Sequence, residues 1–166
     1  LTNSYDFLGI RYAHFQKATL DLRYYQSLLK ESKMVYRLFS GIGIPRNNFK
    51  EALPFEKSFF AGGSNSLRAW RARSIGPGIY FEEDGNFDKI GDIKFEGNLE
   101  YRFPLSKWLE GAMFMDFGNI WLMGYDSSRA GGQFKWNNII NERAIGGGFG
   151  LRLNFEYFIL RMDFAI

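Results

Sequence analysis

The chain has 166 residues, enough for one ordinary domain; 46% are hydrophobic and 19% aromatic, which excludes disorder, and the abundance of Phe, Tyr and Gly argues against a helical bundle. The net charge of +3 is too small and too evenly spread to indicate nucleic-acid binding. The absence of cysteine and the single histidine exclude disulfides and multi-histidine metal sites.

Apolar and polar residues alternate along most of the chain, which predicts a succession of β-strands. The clearest segment is 95–103, where Phe95, Leu99, Tyr101 and Phe103 alternate with polar residues. No apolar run reaches the about 18 residues of a spanning helix, so helices that cross a membrane are excluded but strands are not. About eight strand-like segments are present, with the alternation clearest in 19–25, 34–44, 95–103, 109–118, 149–157 and 158–164.

Two all-β architectures fit this alternation. A soluble barrel would bury the apolar face, whereas a transmembrane barrel turns it to lipid. The segments run to about 10 to 14 residues, longer than soluble strands and sufficient to span a bilayer. Polar faces rich in Arg, Glu, Asp and Asn suit a hydrated lumen, and aromatic residues near segment ends are typical of interfacial girdles: Tyr24, Tyr25, Phe103, Trp108, Trp121, Tyr157 and Phe158. An antiparallel up-and-down transmembrane β-barrel is therefore favoured over the soluble alternative.

The connections between these segments alternate in length. Short ones are predicted at 26–31 and 103–107, and long ones at about 45–67 and 123–142. Short periplasmic turns and long extracellular loops alternate in this way in outer-membrane barrels.

The first long loop ends in a motif that resembles a known family. A Gly62-Gly63-Ser64 stretch precedes Leu67-Arg68-Ala69-Trp70. This is similar to the tip of the sixth extracellular loop in the BamA/TamA-type outer-membrane assembly and translocation superfamily, also called the bacterial surface antigen family, where the tip reads Val-Arg-Gly-Phe/Tyr. Leu67 replaces Val and Trp70 keeps an aromatic, but Ala69 replaces Gly and makes a backbone with positive φ less comfortable there.

Two further motifs follow in the family's order. Gly97 to Glu100 resembles its Gly-x-x-Glu strand, and Phe114-Met115-Asp116-Phe117-Gly118 resembles its Phe-x-Asp-x-Gly strand. The glycine-rich segment 146–153 resembles the region before the last strand. It lacks the Lys-Ser/Thr of a phosphate-binding loop, so its glycines indicate a weakened or bent strand.

The resemblance implies that the long loop folds back into the barrel. Strand parity places Glu100 and Asp116 on lumen faces at similar depth, where Arg68 could pair with both through its guanidinium fork. The implied role is to fix the loop and hold the barrel in a working conformation. Arg68 as an ordinary exposed arginine, and the two carboxylates as a glycosidase pair, are the less favoured alternatives.

The resemblance also implies a function. Family barrels have about sixteen strands, of which residues 1–166 would supply roughly half, as the C-terminal part of the barrel. The implied protein is a non-enzymatic insertase or translocase of the bacterial outer membrane, without cofactor or metal. Its partners would be outer-membrane lipids, client outer-membrane or secreted polypeptides, and periplasmic or lipoprotein components that N-terminal domains recruit. A passive outer-membrane pore, adhesin or structural barrel, or a barrel that anchors an enzyme, stays open.

Overall fold

The computed structural model describes residues 6–7, 10–11, 14–28, 31–46, 53–81, 89–155 and 157–166. Strands β1 and β2 form a separate antiparallel pair, and β3 to β8 form one antiparallel sheet in which each strand pairs with the next. The strands are β1 Asp6–Phe7, β2 Ile10–Arg11, β3 His14–Ser27, β4 Lys33–Arg46, β5 Ile93–Pro104, β6 Leu109–Trp121, β7 Ala144–Asn154 and β8 Ile159–Ala165. Short 3-10 turns cover Phe55–Lys57, Ser127–Arg129 and Trp136–Asn138.

This architecture confirms the predicted all-β, antiparallel up-and-down fold, with five strands of 11 to 14 residues and the 7-residue β8 in the main sheet. The sheet is a part of a barrel and does not close on itself. Among the described residues, no helix has the length and hydropathy needed to cross a membrane. Hairpins with short turns join β3 to β4, β5 to β6 and β7 to β8, whereas the β4–β5 connection occupies 47–92 and the β6–β7 connection 122–143.

One face of the sheet is apolar and exposed. The strand alternation places large apolar side chains on this outer face, where they remain accessible: Leu20, Leu22, Leu38, Ile42, Ile44, Met113, Met115, Phe149, Leu160 and Phe164. A soluble barrel would bury these side chains, so the arrangement is that of strands whose outer face meets lipid.

The hydrophobic core lies on the opposite, inner face, beneath the β4–β5 connection. Its buried members are Phe59, Ala61, Leu67, Ile75 and Ile120, and four of the five belong to that connection. Gly41 and Gly43 of β4 leave room for side chains of this connection. An added Cβ at Gly41 would overlap the Phe59 ring, and one at Gly43 would overlap Leu53. Segment 53–81 therefore packs against the inner wall of the sheet.

One aromatic residue differs from its prediction. Trp121 was expected near an interfacial girdle, but its side chain is fully buried. Its indole Nε1 donates to Glu142 at 2.7 Å, and the ring of Phe134 packs edge-on against it at 5.6 Å between centroids. The β6–β7 connection covers this end of β6, which removes Trp121 from the surface. Tyr24, Trp108 and Tyr157 are exposed.

Candidate functional site

The tip of the inward loop is fixed by Arg68. Its Nε and Nη2 donate to the two carboxylate oxygens of Asp116, both at 2.8 Å, and its Nη1 donates to Glu100 at 2.6 Å. The backbone N–H of Arg68 adds a bond of 3.0 Å to Asp116. The side chains are 7% exposed for Arg68 and Glu100 and fully buried for Asp116. The three residues that the sequence singled out thus form one buried arginine–carboxylate cluster.

Strand register explains how the two carboxylates converge. Asn98 of β5 lies opposite Asp116 of β6, and Glu100 lies opposite Phe114. The carboxylates are therefore one inner-face row apart, which a single guanidinium fork can bridge. Burial alone would lower the pKa of Arg68, but its hydrogen bonds to Asp116 and Glu100 outweigh this and raise that pKa above its ordinary value. Arg68 is consequently charged throughout the physiological range.

An aromatic ring completes the surroundings of the guanidinium. The Arg68 Cζ lies 3.5 Å from the centroid of the Phe114 ring, which is a close cation–π contact. Phe114 is an apolar residue on the inner face of β6, two residues before Asp116, and this contact gives its side chain a charged partner there.

Ala69 and Trp70 anchor the other side of the tip on β7. Among the described residues, the non-glycine residues with positive φ are Glu31 and Arg73, so Ala69 avoids the left-handed backbone that its side chain disfavours. Its methyl group instead occupies the space that a side chain at Gly146 would fill. The Trp70 Nε1 donates to the carbonyl of Ile145 at 3.1 Å. Leu67, the fourth residue of the motif, is fully buried in the core.

The motif glycines have distinct local reasons. Gly62 and Gly63 have φ of 95° and 96°, which other residues rarely adopt, and they form the turn before the tip. Gly97 accommodates the Phe117 ring on the outer face, and Gly118 lies so close to β5 that an added Cβ would be 2.5 Å from the Phe95 carbonyl oxygen. The glycines of β7 lie within one continuous strand, and Gly146 and Gly148 pack closely against neighbouring atoms; that they weaken or bend the strand stays a prediction.

Sequence reasoning missed several residues that hold the tip. The Asn98 side-chain amide donates to Asp116 and to the Ser66 carbonyl, and Arg37 donates to the Asn65 carbonyl at 3.0 Å. The Ser66 hydroxyl donates to Glu96, which is 1% exposed and also pairs with Lys94 at 2.7 Å. Strand alternation could have identified them, because Arg37, Glu96 and Asn98 all belong to the predicted polar faces.

Comparisons with known proteins bear on the family and the fold. A model of the Omp85 superfamily domain matches residues 4–166. The outer membrane protein assembly factor BamA of Neisseria meningitidis serogroup B (strain ATCC BAA-335 / MC58) is 27% identical over 74 residues, which are 42% of this chain and 9% of that protein.

The fold also has a solved counterpart. The crystal structure of BamA from Haemophilus ducreyi lacking POTRA domains 1–3 matches with a TM-score of 0.70 and 21% identity, over 92% of this chain and 31% of that one. The chain therefore spans less than a third of the length of either relative. At this identity the structural likeness shows the fold.

Proposed function

Because the chain belongs to the Omp85 superfamily, we propose that it forms part of the barrel of an insertase or translocase in the bacterial outer membrane. Its clients would be unfolded outer-membrane or secreted polypeptides. Outer-membrane lipids would cover the exposed apolar face, and periplasmic or lipoprotein components would be further partners of the whole protein. The activity is not enzymatic: the barrel offers a surface on which client strands pair, and the energy comes from client folding.

The observation that carries this proposal is the seating of the loop tip by Arg68. A buried arginine that bridges two strands fixes the loop across the inner wall, and separating such a pair is costly. A loop held in this way sets the shape of the lumen while clients are handled. A passive pore has no need of this arrangement.

The engagement of both carboxylates supports a role that is not catalytic. Glycosidases need two carboxyl groups that face a substrate, one of them able to donate a proton. Glu100 and Asp116 both accept hydrogen bonds from Arg68, and Glu100 accepts others from Arg102 and Arg152. Neither is available to a substrate while Arg68 is in place.

The test is client folding by the full-length protein in phosphatidylcholine vesicles. A urea-unfolded eight-stranded barrel is added, and its folded fraction is followed by heat-modifiable gel mobility. We expect the wild type to accelerate client folding and Arg68→Glu to fall to the rate of empty vesicles. Arg129→Glu, which changes an arginine that pairs with Asp126 in the β6–β7 connection, is the matched control. A wild type that conducts ions but neither folds this client nor translocates a secreted polypeptide would be a passive barrel, and the proposal would be wrong.

A further inference from the structure

A cavity of about 320 Å³ lies on the inner face of the sheet, beside the loop tip. Ser64, Asn65 and Ser66 of the tip contribute to its lining. The strand residues that line it lie in the rows from Asn98 to Pro104 of β5, with Arg152 and Arg161 in the row of Pro104, so the cavity lies between the tip and the short turns. Six arginines face this cavity: Arg23, Arg37, Arg68, Arg102, Arg152 and Arg161.

The charges around the cavity do not balance. Within the described part of the chain, these six arginines pair with four carboxylates: Asp21, Glu100, Asp116 and Asp163. Of the four, Glu100 alone contributes to the cavity lining. Two positive charges are thus left without a counter-charge from the described residues in a partly enclosed space, where uncompensated charge is unfavourable.

Arg152 shows the imbalance at the level of one atom. Its side chain is 10% exposed and its Nη2 donates to Glu100. Its Nε is buried and has no hydrogen-bond partner among the described residues. Arg102 is also incompletely used, because its one hydrogen bond within the described residues comes from Nε. Buried donors are almost always satisfied in native proteins, so an unused one needs an explanation.

We propose that this arginine cavity binds a phosphate group. Its donors come from β5, β7 and β8 and therefore approach from several directions, which suits a tetrahedral oxyanion better than a planar carboxylate. Arginine forks bind phosphate oxygens in pairs, and a phosphate dianion would neutralise the excess of two positive charges. The group would be inorganic phosphate or the phosphate of a lipid headgroup.

Binding would also stabilise the docked loop. Arg68 and residues 64–66 line the cavity, so a bound phosphate touches the tip only when the tip is in place. A ligand that binds one state of a protein shifts the equilibrium towards that state. Phosphate should therefore slow the release of the loop tip, a readout that does not depend on client folding or on the proposed function.

The experiment is calorimetric titration of inorganic phosphate into the full-length protein in a nonionic detergent, at constant ionic strength with chloride as the balancing anion. We expect saturable binding that is weakened at least roughly tenfold by Arg152→Gln and by Arg102→Gln. Heat-modifiable gel mobility shows whether each variant is folded, and either folded variant suffices. Arg129→Gln, with the same loss of charge outside the cavity, should bind as the wild type does.

Vesicles distinguish the two sources of phosphate. Competition by phosphatidylcholine vesicles that contain phosphatidic acid, but not by pure phosphatidylcholine vesicles, identifies a lipid headgroup as a ligand. Inorganic phosphate binding without such competition identifies free phosphate. The proposal is wrong if no saturable binding is found, or if the folded arginine variants bind phosphate as tightly as the wild type.

Discussion

Replacing Arg68 with glutamate should release the loop tip from the inner wall of the sheet. Three side-chain N–H groups of Arg68 point at carboxylate oxygens of Asp116 and Glu100, at 2.8 Å or less. The Asp116 side chain is fully buried. The substitution places a third carboxylate beside two others, one of which has no access to water, so the docked position of the loop becomes strongly unfavourable.

The size of the effect follows from the contacts that are lost. Removing one partner of a buried ion pair costs about 3–5 kcal/mol, and the contact with Phe114 adds about 1 kcal/mol. Arg102 and Arg152 remain beside Glu100 and offset part of the repulsion. We therefore expect docking to weaken by about 3 kcal/mol, which corresponds to roughly a hundredfold change in the equilibrium.

Cysteine labelling measures this change directly, because the natural chain has no cysteine. Ser66→Cys replaces a half-buried side chain that points towards Glu96. Tyr125→Cys, at a position that is 74% exposed, provides the rate for an open site. A membrane-impermeant maleimide should label Cys at 66 slowly when Arg68 is intact and nearly as fast as Cys at 125 in Arg68→Glu.

Charge exchange gives the control. Arg68→Glu combined with Asp116→Arg restores opposite charges, but the backbone bond from Arg68 to Asp116 is lost. Protection of Cys at 66 should therefore return in part. Unchanged protection in Arg68→Glu alone would refute the reasoning, because the cluster would then not hold the tip.

Three further substitutions test the surroundings of the cluster. Gly146→Ala should weaken docking by about 1–3 kcal/mol through overlap with Ala69, and Ala69→Gly in the same protein should restore the protection of Cys at 66. Phe114→Leu should cost about 1 kcal/mol or more through the lost cation–π contact with Arg68, seen as a roughly fivefold faster labelling. Asp92→Asn should abolish one component of the pH dependence of thermal unfolding: burial raises the Asp92 pKa above its ordinary 3.8, so the wild type gains stability from this group at low pH and loses it as the pH rises past the raised pKa. If thermal unfolding depended on pH in the same way in the wild type and in Asp92→Asn, that assignment would be contradicted.

The strands and their two faces could be predicted from the sequence because alternation depends on neighbours only two residues apart. Once parity was known, Glu100 and Asp116 were both assigned to the inner face. Alternation alone could not predict that they contact Arg68, because Arg68 is 32 residues from Glu100 and 48 from Asp116 in the sequence. The order of the family's motifs supplied that long-range information.

Local sequence patterns could not predict the contacts between the loop and the inner face of the sheet. Trp121 fits the pattern of a girdle aromatic because it ends a strand, but Phe134 and Glu142 of the following connection cover it. Ala69 avoids a left-handed backbone, as its side chain predicts, but nothing in the sequence indicated that its methyl group packs at Gly146. The local pattern likewise gives no partner for Gly146, which packs against Ala69. These features depend on non-local contacts, which local rules do not contain.

The inner-face glycines indicate that loop docking is all-or-none. Gly41, Gly43 and Gly146 lie in strands, where glycine is unfavourable by roughly 0.5–1 kcal/mol relative to alanine, and at each of them an added Cβ would overlap the loop. When the loop is undocked, the three glycines still weaken their strands, and Phe59 and Leu67 of the buried core become exposed. Partial withdrawal would leave voids that closely packed interiors do not tolerate. The loop should therefore have two positions, fully seated or fully released, and the arginine–carboxylate cluster would decide between them.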